Sequence, residues 1–150
     1  MCSSLVKIIT YFCRINQSSQ HMIAREDFRI VFMGTPEFAV ESLKKLTESN
    51  YHVVGVVTNP DKPAGRGRKL RESPVKVYAR EKGLPILQPD DLKAESFALK
   101  LKELKPSLQV VVAFKILPPG IFEIPTHGTF NLHASLLPHY RGAAPINHAI

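Results

Sequence analysis

Asn131 and His133 are the two side chains in this 150-residue sequence whose types and spacing best suit chemistry. They lie two positions apart on a predicted strand, so their side chains point to the same face. An Asn amide donates a hydrogen bond to an oxygen that gains negative charge, and a neighbouring His takes or gives a proton near neutral pH. That pair suits the attack of an amine on a carbonyl carbon. The same spacing also fits a buried polar pair that satisfies backbone groups at a strand end, so spacing alone leaves both interpretations open.

The segment after this pair favours a ligand-binding loop. Ser135-Leu136-Leu137-Pro138 turns sharply off the strand, and Tyr140 to Ile146 then enters a helix through small residues. Small residues let backbone groups approach a ligand closely. Arg141 suits a carboxylate or a phosphate, although a solvated surface charge is an equally ordinary role for it.

A second candidate site is a basic segment between Pro60 and Lys82, which holds eight Lys or Arg against three acids. Its excess of positive charge is most of the chain's formal net charge of +7. Gly65 and Gly67 make the segment flexible, so it can neutralise nucleic-acid phosphates. Arg66 and Arg68 also suit forked contacts to phosphates or stacking on an unpaired base. The alternative is a mobile, solvated loop.

Alternating strands and helices are predicted to position these residues. The predicted strands cover residues 29–33, 52–57, 84–87, 108–114 and 128–133. The first predicted helix follows Thr35-Pro36 and ends near Asn50, the second runs from Ser73-Pro74 to Gly83, the third runs from Lys93 to Lys105, and a fourth begins at Pro145. Residues 59–72 are predicted to form a loop. Thr35 and Ser73 are expected to cap their helices. This order predicts an α/β fold: a Rossmann-like, mostly parallel sheet with helices on both faces. Gly34, Thr58, Phe114 and His133 then lie at the carboxyl ends of strands, where such sheets bind ligands.

The two ends of the sequence differ from this α/β region. Leu5 to Cys13 is an apolar run too short to span a membrane, and Met22 is an alternative start, so residues 1–27 are expected to be an extension without function. At the other end, Pro145 to Ile150 begins a helix but is too short to complete it. We therefore expect residues 29–150 to form a domain truncated at its carboxyl-terminal side.

Metal, dinucleotide and secretory classes are not favoured by the sequence. Cys2 and Cys13 lack zinc-site spacing with any histidine, so no metal is predicted, and their small number favours a reducing, cytoplasmic setting. Gly34-Thr35-Pro36 lacks the GxGxxG spacing and the later acidic residue of a dinucleotide site.

Three motifs in order give the sequence a specific resemblance from about Arg29 onward. They are Phe32 to Ala39 (FMGTPEFA), Asp61 to Leu70 (DKPAGRGRKL) with Ser73 to Lys76 (SPVK), and Asn131 to Pro138 (NLHASLLP) continuing to Ala144-Pro145-Ile146. With these motifs the sequence resembles the amino-terminal part of the folate-dependent methionyl-tRNA formyltransferases.

The resemblance implies a reaction and a role for each matched residue. The reaction is transfer of a formyl group from 10-formyl-tetrahydrofolate to the amino group of methionine on initiator tRNA. Asn131 would hold the formyl oxygen and His133 would act as acid and base. The implied folate site comprises Ser135, Leu136, Leu137 and Pro138 together with the backbone near Ile116, Leu117 and Pro118, and the implied tRNA contacts are Lys62, Arg66, Arg68 and Lys69. Phe114-Lys115 stands where many members carry Tyr-Gly, a change that affects the shape of the pterin pocket.

Two features of the family are not matched within these 150 residues: an aspartate that orients the histidine, and a small carboxyl-terminal domain that grips tRNA. We therefore expect residues 1–150 alone to show little or no formyl transfer. Two alternatives stay open, namely a catalytically incomplete folate- or RNA-binding fragment and a formyltransferase acting on a sugar nucleotide or a purine precursor. The expected partners are initiator methionyl-tRNA and folate, with no membrane, and the expected state is a monomer.

Overall fold

A computed structural model describes residues 28–49, 51–64 and 69–132. The strands are β1 (Arg29–Gly34), β2 (His52–Val57), β3 (Lys62–Ala64), β4 (Lys69–Arg71), β5 (Ile86–Leu87), β6 (Leu108–Val112) and β7 (Thr129–Leu132), and the helices are α1 (Glu37–Glu48), α2 (Pro74–Glu81), α3 (Glu95–Glu103) and α4 (Pro119–Phe122). Several predictions fall outside these residues: the extension over 1–27, His133, the segment Ser135 to Pro138, Arg66, Arg68, Arg141 and the helix from Pro145.

Five strands form a parallel sheet in the order β5-β2-β1-β6-β7. The chain starts in the middle at β1, moves outward through β2 to β5, and then crosses back to add β6 and β7 on the other side. The order therefore reverses between β1 and β6, and the crevice at the carboxyl ends of those two strands is where open α/β sheets bind ligands. The α/β class and its five predicted sheet strands are confirmed.

Helices cover both faces of the sheet, as predicted, and each face has its own buried core. On the first face, α1 and α2 bury Leu43, Leu46, Val75 and Ala79 against Ile30, Phe32, Val110 and Val112. On the second, α3 and α4 bury Phe97, Leu101 and Ile121 against Val31, Met33, Val57 and Val111. Neighbouring residues of β1 thus alternate between the two cores, the period of two that a strand requires. The three middle strands β1, β2 and β6 are therefore buried on both faces and fix the position of the groups that follow them.

The pairing of β1 with β2 contains one irregularity that brings α3 close to the sheet. Ile30 pairs with Val53, whereas Val31 pairs with Gly55, so the register shifts by one residue between them. A Cβ at Gly55 would lie 2.7 Å from Cδ1 of Leu104, the residue that caps α3. Glycine at this position leaves the space that the end of α3 occupies.

The helix starts show where capping was predicted correctly and where it was not. Ser73 caps α2 as expected, because its hydroxyl accepts a hydrogen bond from the Lys76 amide at 3.1 Å. The prediction that Thr35 caps α1 is wrong, because β1 continues through Gly34 and Pro36 takes the cap position without a side-chain hydrogen bond. Among the described residues, the buried Thr35 hydroxyl has no hydrogen-bond partner.

The segment predicted as a loop over residues 59–72 contains a hairpin. β3 pairs with β4 in antiparallel register, with Lys62 opposite Arg71, Pro63 opposite Leu70 and Ala64 opposite Lys69. The loop prediction is therefore wrong for residues 62–64 and 69–71, because the three-residue strands Lys-Pro-Ala and Lys-Leu-Arg carry too little apolar alternation to be detected. Among the described residues, no helix combines the length and apolar character needed to cross a membrane.

Candidate functional site

Gly34 ends β1 at the point where the strand order reverses, in a space too narrow for any side chain. A Cβ there would lie 2.9 Å from both Ala39 Cβ and Phe32 Cε1, and 3.0 Å from the carbonyl oxygen of Val112. The first turn of α1 and the end of β6 both approach the backbone at this residue. Glycine therefore permits the close packing that forms the floor of the crevice.

Ala113 turns the chain off β6 beside that floor. Its φ of +48° lies in the left-handed region that non-glycine residues rarely adopt. Such conformations persist where the surrounding structure enforces them, and they are concentrated at ligand sites. The turn sends residues 113–118 over the second face of the sheet.

This loop contains the three residues that the sequence implied as pterin contacts. Leu117 packs with Phe114 on the second core, and Pro118 occupies the cap position of α4. Ile116 is 97% exposed, so its side chain is accessible from outside the protein. The loop thus has a fixed inner side and an open outer side at the carboxyl edge of the sheet.

Asn131 lies next to this loop on the neighbouring strand. In the register of β6 with β7, Val111 is opposite Asn131, so the Asn131 side chain emerges on the face that Leu117 covers. Its neighbours Phe130 and Leu132 pack instead against the first core. Asn131 is exposed, as a residue that meets a substrate must be. The structure therefore places Asn131 and the 113–118 loop at the ends of adjacent strands, on the second face of the sheet. The roles of these residues in catalysis and folate binding stay predictions.

The basic hairpin leaves the same edge of the sheet, beyond the carboxyl end of β2. Asp61 immediately precedes β3 and Glu72 immediately follows β4, so these two acids mark the ends of the hairpin. Lys76 on α2 forms an ion pair with Asp61, and its Nζ lies 3.2 Å from Glu72 Oε1. Glu72 also pairs with Arg80 at 2.6 Å. One lysine thus joins both ends of the hairpin to one helix.

These contacts set the protonation of the four charged groups. Hydrogen bonds from Lys76 and then from Gln88 hold the pKa of Asp61 below its ordinary value. Hydrogen bonds from Arg80 and then from Lys76 lower the pKa of Glu72. The pKa of Lys76 is raised, chiefly by its hydrogen bond to Asp61. All four groups are therefore charged near neutral pH.

The structure corrects the distribution of charge in the basic segment. Lys76 and Arg80 were counted with this segment, yet both lie on α2 and are paired with the carboxylates of Asp61 and Glu72 at the hairpin ends. The sequence from Lys62 to Arg71 contains five Lys or Arg and no acid, so the segment's excess of positive charge lies in this stretch. Lys62 and Arg71 are exposed and lie opposite each other, which places two cations at its base.

Comparison with known proteins identifies the family. Residues 28–150 match the family described as formyl transferase. The chain belongs to the formyl transferase family. It is 63% identical over 126 residues to the methionyl-tRNA formyltransferase of Bacteroides thetaiotaomicron, a match that covers 84% of this chain and 39% of that protein.

Further methionyl-tRNA formyltransferases give similar values. The protein of Porphyromonas gingivalis is 59% identical over 84% of this chain and 39% of its own length. That of Flavobacterium johnsoniae is 61% identical over 83% of this chain and 40% of its own length. The chain therefore spans about two fifths of the length of the curated relatives it matches.

In this member of the formyl transferase family, the role that the sequence did not reveal is that of Lys76. The signal was present as helical spacing, because Glu72, Lys76 and Arg80 follow one another at intervals of four residues. The contact with Asp61 was not visible, since it spans fifteen positions and depends on the hairpin that was not predicted. Lys69 takes part in β4, and Lys62 in β3, as members of that hairpin.

Proposed function

We propose that the protein transfers a formyl group from 10-formyl-tetrahydrofolate to the amino group of methionine carried on initiator tRNA. The observation that carries the proposal is the placement of two different features at one carboxyl edge of the sheet. Asn131 lies at the end of β7, and a hairpin with five cations follows β2. The relatives named methionyl-tRNA formyltransferase support the reaction, because the matched region includes both features.

The spacing of these features favours a large, phosphate-bearing substrate. β2 and β7 are separated by β1 and β6, which makes three steps across the sheet. At about 4.8 Å per step, the root of the hairpin lies about 14 Å from the strand that carries Asn131. A sugar nucleotide or a purine precursor carries only one or two phosphates and can engage few of the hairpin's cations, whereas an aminoacylated tRNA presents its amine at one end and phosphates along the rest. This supports tRNA over the small acceptors.

The chemistry proposed for the site is nucleophilic transfer. The methionine amine attacks the formyl carbon, and the Asn131 amide donates a hydrogen bond to the oxygen as it becomes negative. His133 accepts the proton that the amine loses, and the proton passes to the folate nitrogen as the old carbon–nitrogen bond breaks. Formyl-methionyl-tRNA and tetrahydrofolate are the products. Residues 116–118 and 135–138 hold the folate in this proposal, no metal takes part, and the protein acts as a cytoplasmic monomer.

A chimera tests this function directly. Residues 28–150 replace the matching segment of the Bacteroides thetaiotaomicron protein, and transfer of labelled formyl to methionyl-tRNA is measured. We expect turnover by the chimera and little or none by residues 1–150 alone. A chimera that has the circular dichroism of a folded protein but formylates no methionyl-tRNA would overturn the proposal, and faster formylation of an amino sugar nucleotide would favour the small-substrate alternative.

Asn131→Ala in this chimera is expected to lower kcat by about 100- to 1,000-fold, because an oxyanion donor acts mainly in the transition state. Binding of methionyl-tRNA should change little. Thr129→Val, at the other end of the same strand, serves as the matched control and should retain turnover. An equal loss in both variants would show that the strand, rather than the Asn131 amide, is what matters.

A further inference from the structure

We propose that Lys76 is a positioning residue that fixes the basic hairpin β3–β4 in the orientation that binds tRNA. Its ammonium group joins Asp61 and Glu72, the residues at the two ends of the hairpin. The choice of tRNA as the ligand rests on the proposed function, whereas the mechanical role of Lys76 does not. The two parts are therefore tested separately.

The hairpin needs support from outside itself. It contains three residue pairs, and an isolated two-stranded hairpin is at best marginally stable in water. Leu70 is 68% exposed, so the hairpin buries little apolar surface of its own at that position. The ion pairs at its ends are thus a main source of its fixed orientation.

Lys76 is itself held firmly, as a residue that positions another element must be. Its backbone amide donates to the Ser73 hydroxyl at the start of α2, and that hydroxyl is 2.7 Å from the Thr58 hydroxyl at the end of β2. Val75 and Ala79 fix α2 on the first core, where both are fully buried. The Lys76 side chain is only 17% exposed. The lysine thus connects the sheet, through α2, to the hairpin.

A second set of contacts supports the same two acids. Gln88, which follows β5, donates from Nε2 to Asp61 Oδ1 and to the Asn59 carbonyl oxygen, both at 2.9 Å. Arg80 contacts Glu72 from the next turn of α2. Each end of the hairpin is therefore held by Lys76 and by one further side chain.

The net charge of this cluster allows a positioning role for Lys76 to be distinguished from direct binding of phosphate. Lys76, Arg80, Asp61 and Glu72 together carry no net charge, so this cluster offers a phosphate little attraction. If charge alone governed binding, neutralising either acid would strengthen the binding of anionic tRNA. If the acids hold the hairpin in place, neutralising them weakens binding. The two explanations predict changes of opposite sign.

The first experiment needs no RNA. Hydrogen exchange over residues 61–72 is measured by mass spectrometry in the 150-residue chain and in its Lys76→Met, Lys76→Arg and Lys82→Met variants. We expect exchange in the hairpin to quicken by about tenfold in Lys76→Met, with exchange in β1 and α1 unchanged. Lys76→Arg, which keeps the charge, should resemble the parent, and so should Lys82→Met, which removes a charge at the far end of α2. Unchanged hairpin exchange in Lys76→Met would overturn the positioning role.

The second experiment measures the binding of methionyl-tRNA by the same chain carrying Asp61→Asn or Glu72→Gln. We expect Kd to rise by about three- to tenfold in each variant, whereas Glu81→Gln, the same charge change at the last residue of α2, should leave it equal or slightly lower. In the chimera, KM for tRNA should rise while kcat is retained. Tighter binding by Asp61→Asn and Glu72→Gln would overturn the link to tRNA. If the parent chain and the chimera bind no methionyl-tRNA, the proposed function fails while the hydrogen-exchange result still decides the positioning role.

Discussion

At the scale of single residues, the carboxyl edge of the sheet depends on two backbone positions with opposite requirements. Gly34 has no room for a side chain, while Ala113 carries a side chain on a backbone that favours glycine. The first position lets β1, β6 and α1 meet closely, and the second turns the chain away from the sheet. Together they shape the crevice beside Asn131.

Gly34→Ala is expected to lower the free energy of unfolding by about 1–3 kcal/mol, because the new methyl group contacts backbone and core atoms that cannot move freely. The Val112 carbonyl oxygen at 3.0 Å is the least able to yield. Urea denaturation of the 150-residue chain measures the change. Gly120→Ala is the control, since no atom lies within 4 Å of its Cβ position and it should be neutral or slightly stabilising. Equal effects at the two positions would contradict this explanation.

The predicted positions of Gly34 at the end of a strand and of Asn131 on a strand are confirmed, but the sequence did not contain the packing around Gly34 that the structure shows. A strand followed by Gly-Thr-Pro predicts a strand end, and that prediction is confirmed. Part of the crowding at Gly34 comes from the carbonyl oxygen of Val112, which is far along the chain and is not contained in any local pattern. The positive φ of Ala113 likewise has no signal in its residue type.

At the scale of elements, the structure depends on how α2 is attached to the end of β2. The Ser-Pro start of α2 was visible in the sequence, because serine at the cap and proline in the first turn are common there. The Ser73 hydroxyl also contacts Thr58, a buried contact between distant positions that the sequence did not indicate. The hairpin was missed because its short strands owe their pairing to ion pairs at their ends rather than to apolar alternation.

Ser73→Ala is expected to destabilise the protein by about 1–2 kcal/mol, since it removes the cap of α2 and leaves the buried Thr58 hydroxyl without this contact. Thermal unfolding followed by circular dichroism is a suitable measurement. Ser96→Ala, at an exposed position in α3, should change stability by no more than a few tenths of a kcal/mol. A Ser73→Ala variant as stable as Ser96→Ala would show that the cap contributes little.

The ion pairs of Lys76 should make part of the stability depend on pH. The pKa values of Asp61 and Glu72 are lowered on folding, so their contribution is complete above the ordinary carboxyl pKa and is lost as the pH falls through the lowered values. The pKa of Lys76 is raised, so its contribution is lost only as the pH rises through that raised value. The ion pairs are therefore intact from about pH 5 to about pH 10.

The stability difference between the parent chain and Lys76→Met should accordingly be constant near neutral pH and shrink below about pH 4. Urea denaturation across a pH series measures it. Lys82→Met provides the comparison, because its charge does not join the hairpin ends. A difference for Lys76→Met that stays the same down to pH 3 would contradict the ion pairs seen here.

At the scale of the whole molecule, the basic hairpin and Asn131 lie at one edge of the sheet. The sequence predicted an excess of cations and a sheet with its functional residues at the carboxyl ends, and the α/β fold is confirmed. The sequence could not show which cations form ion pairs within the protein, because folding is what brings Lys76 and Arg80 close to their acidic partners. Lys62 and Arg71 are exposed, so these two cations of the hairpin are accessible to an external anion.

Binding of methionyl-tRNA should therefore weaken steeply with salt. If all five hairpin cations contact phosphates, log Kd should rise with log salt concentration with a slope of about 3.5–4.5. Lys62→Ala or Arg71→Ala should reduce the slope by about 1. Lys102→Ala, in the last turn of α3 at the opposite edge of the sheet, should leave it unchanged. A slope that falls equally in all three variants would show that binding responds to overall charge rather than to the hairpin.

The order of strands also determines when the sheet can be completed during synthesis on a ribosome. β2 follows β1 closely, but Ser107, just before β6, comes 78 positions after its partner Arg29. At a synthesis rate of about 5–20 residues per second, one edge of β1 remains unpaired for about 4–16 seconds until β6 has been synthesised. An unpaired strand edge is a template for another chain, so this interval is when the nascent protein is most exposed to misassociation. The central strand of the sheet, although among the first to be synthesised, is among the last to be fully paired.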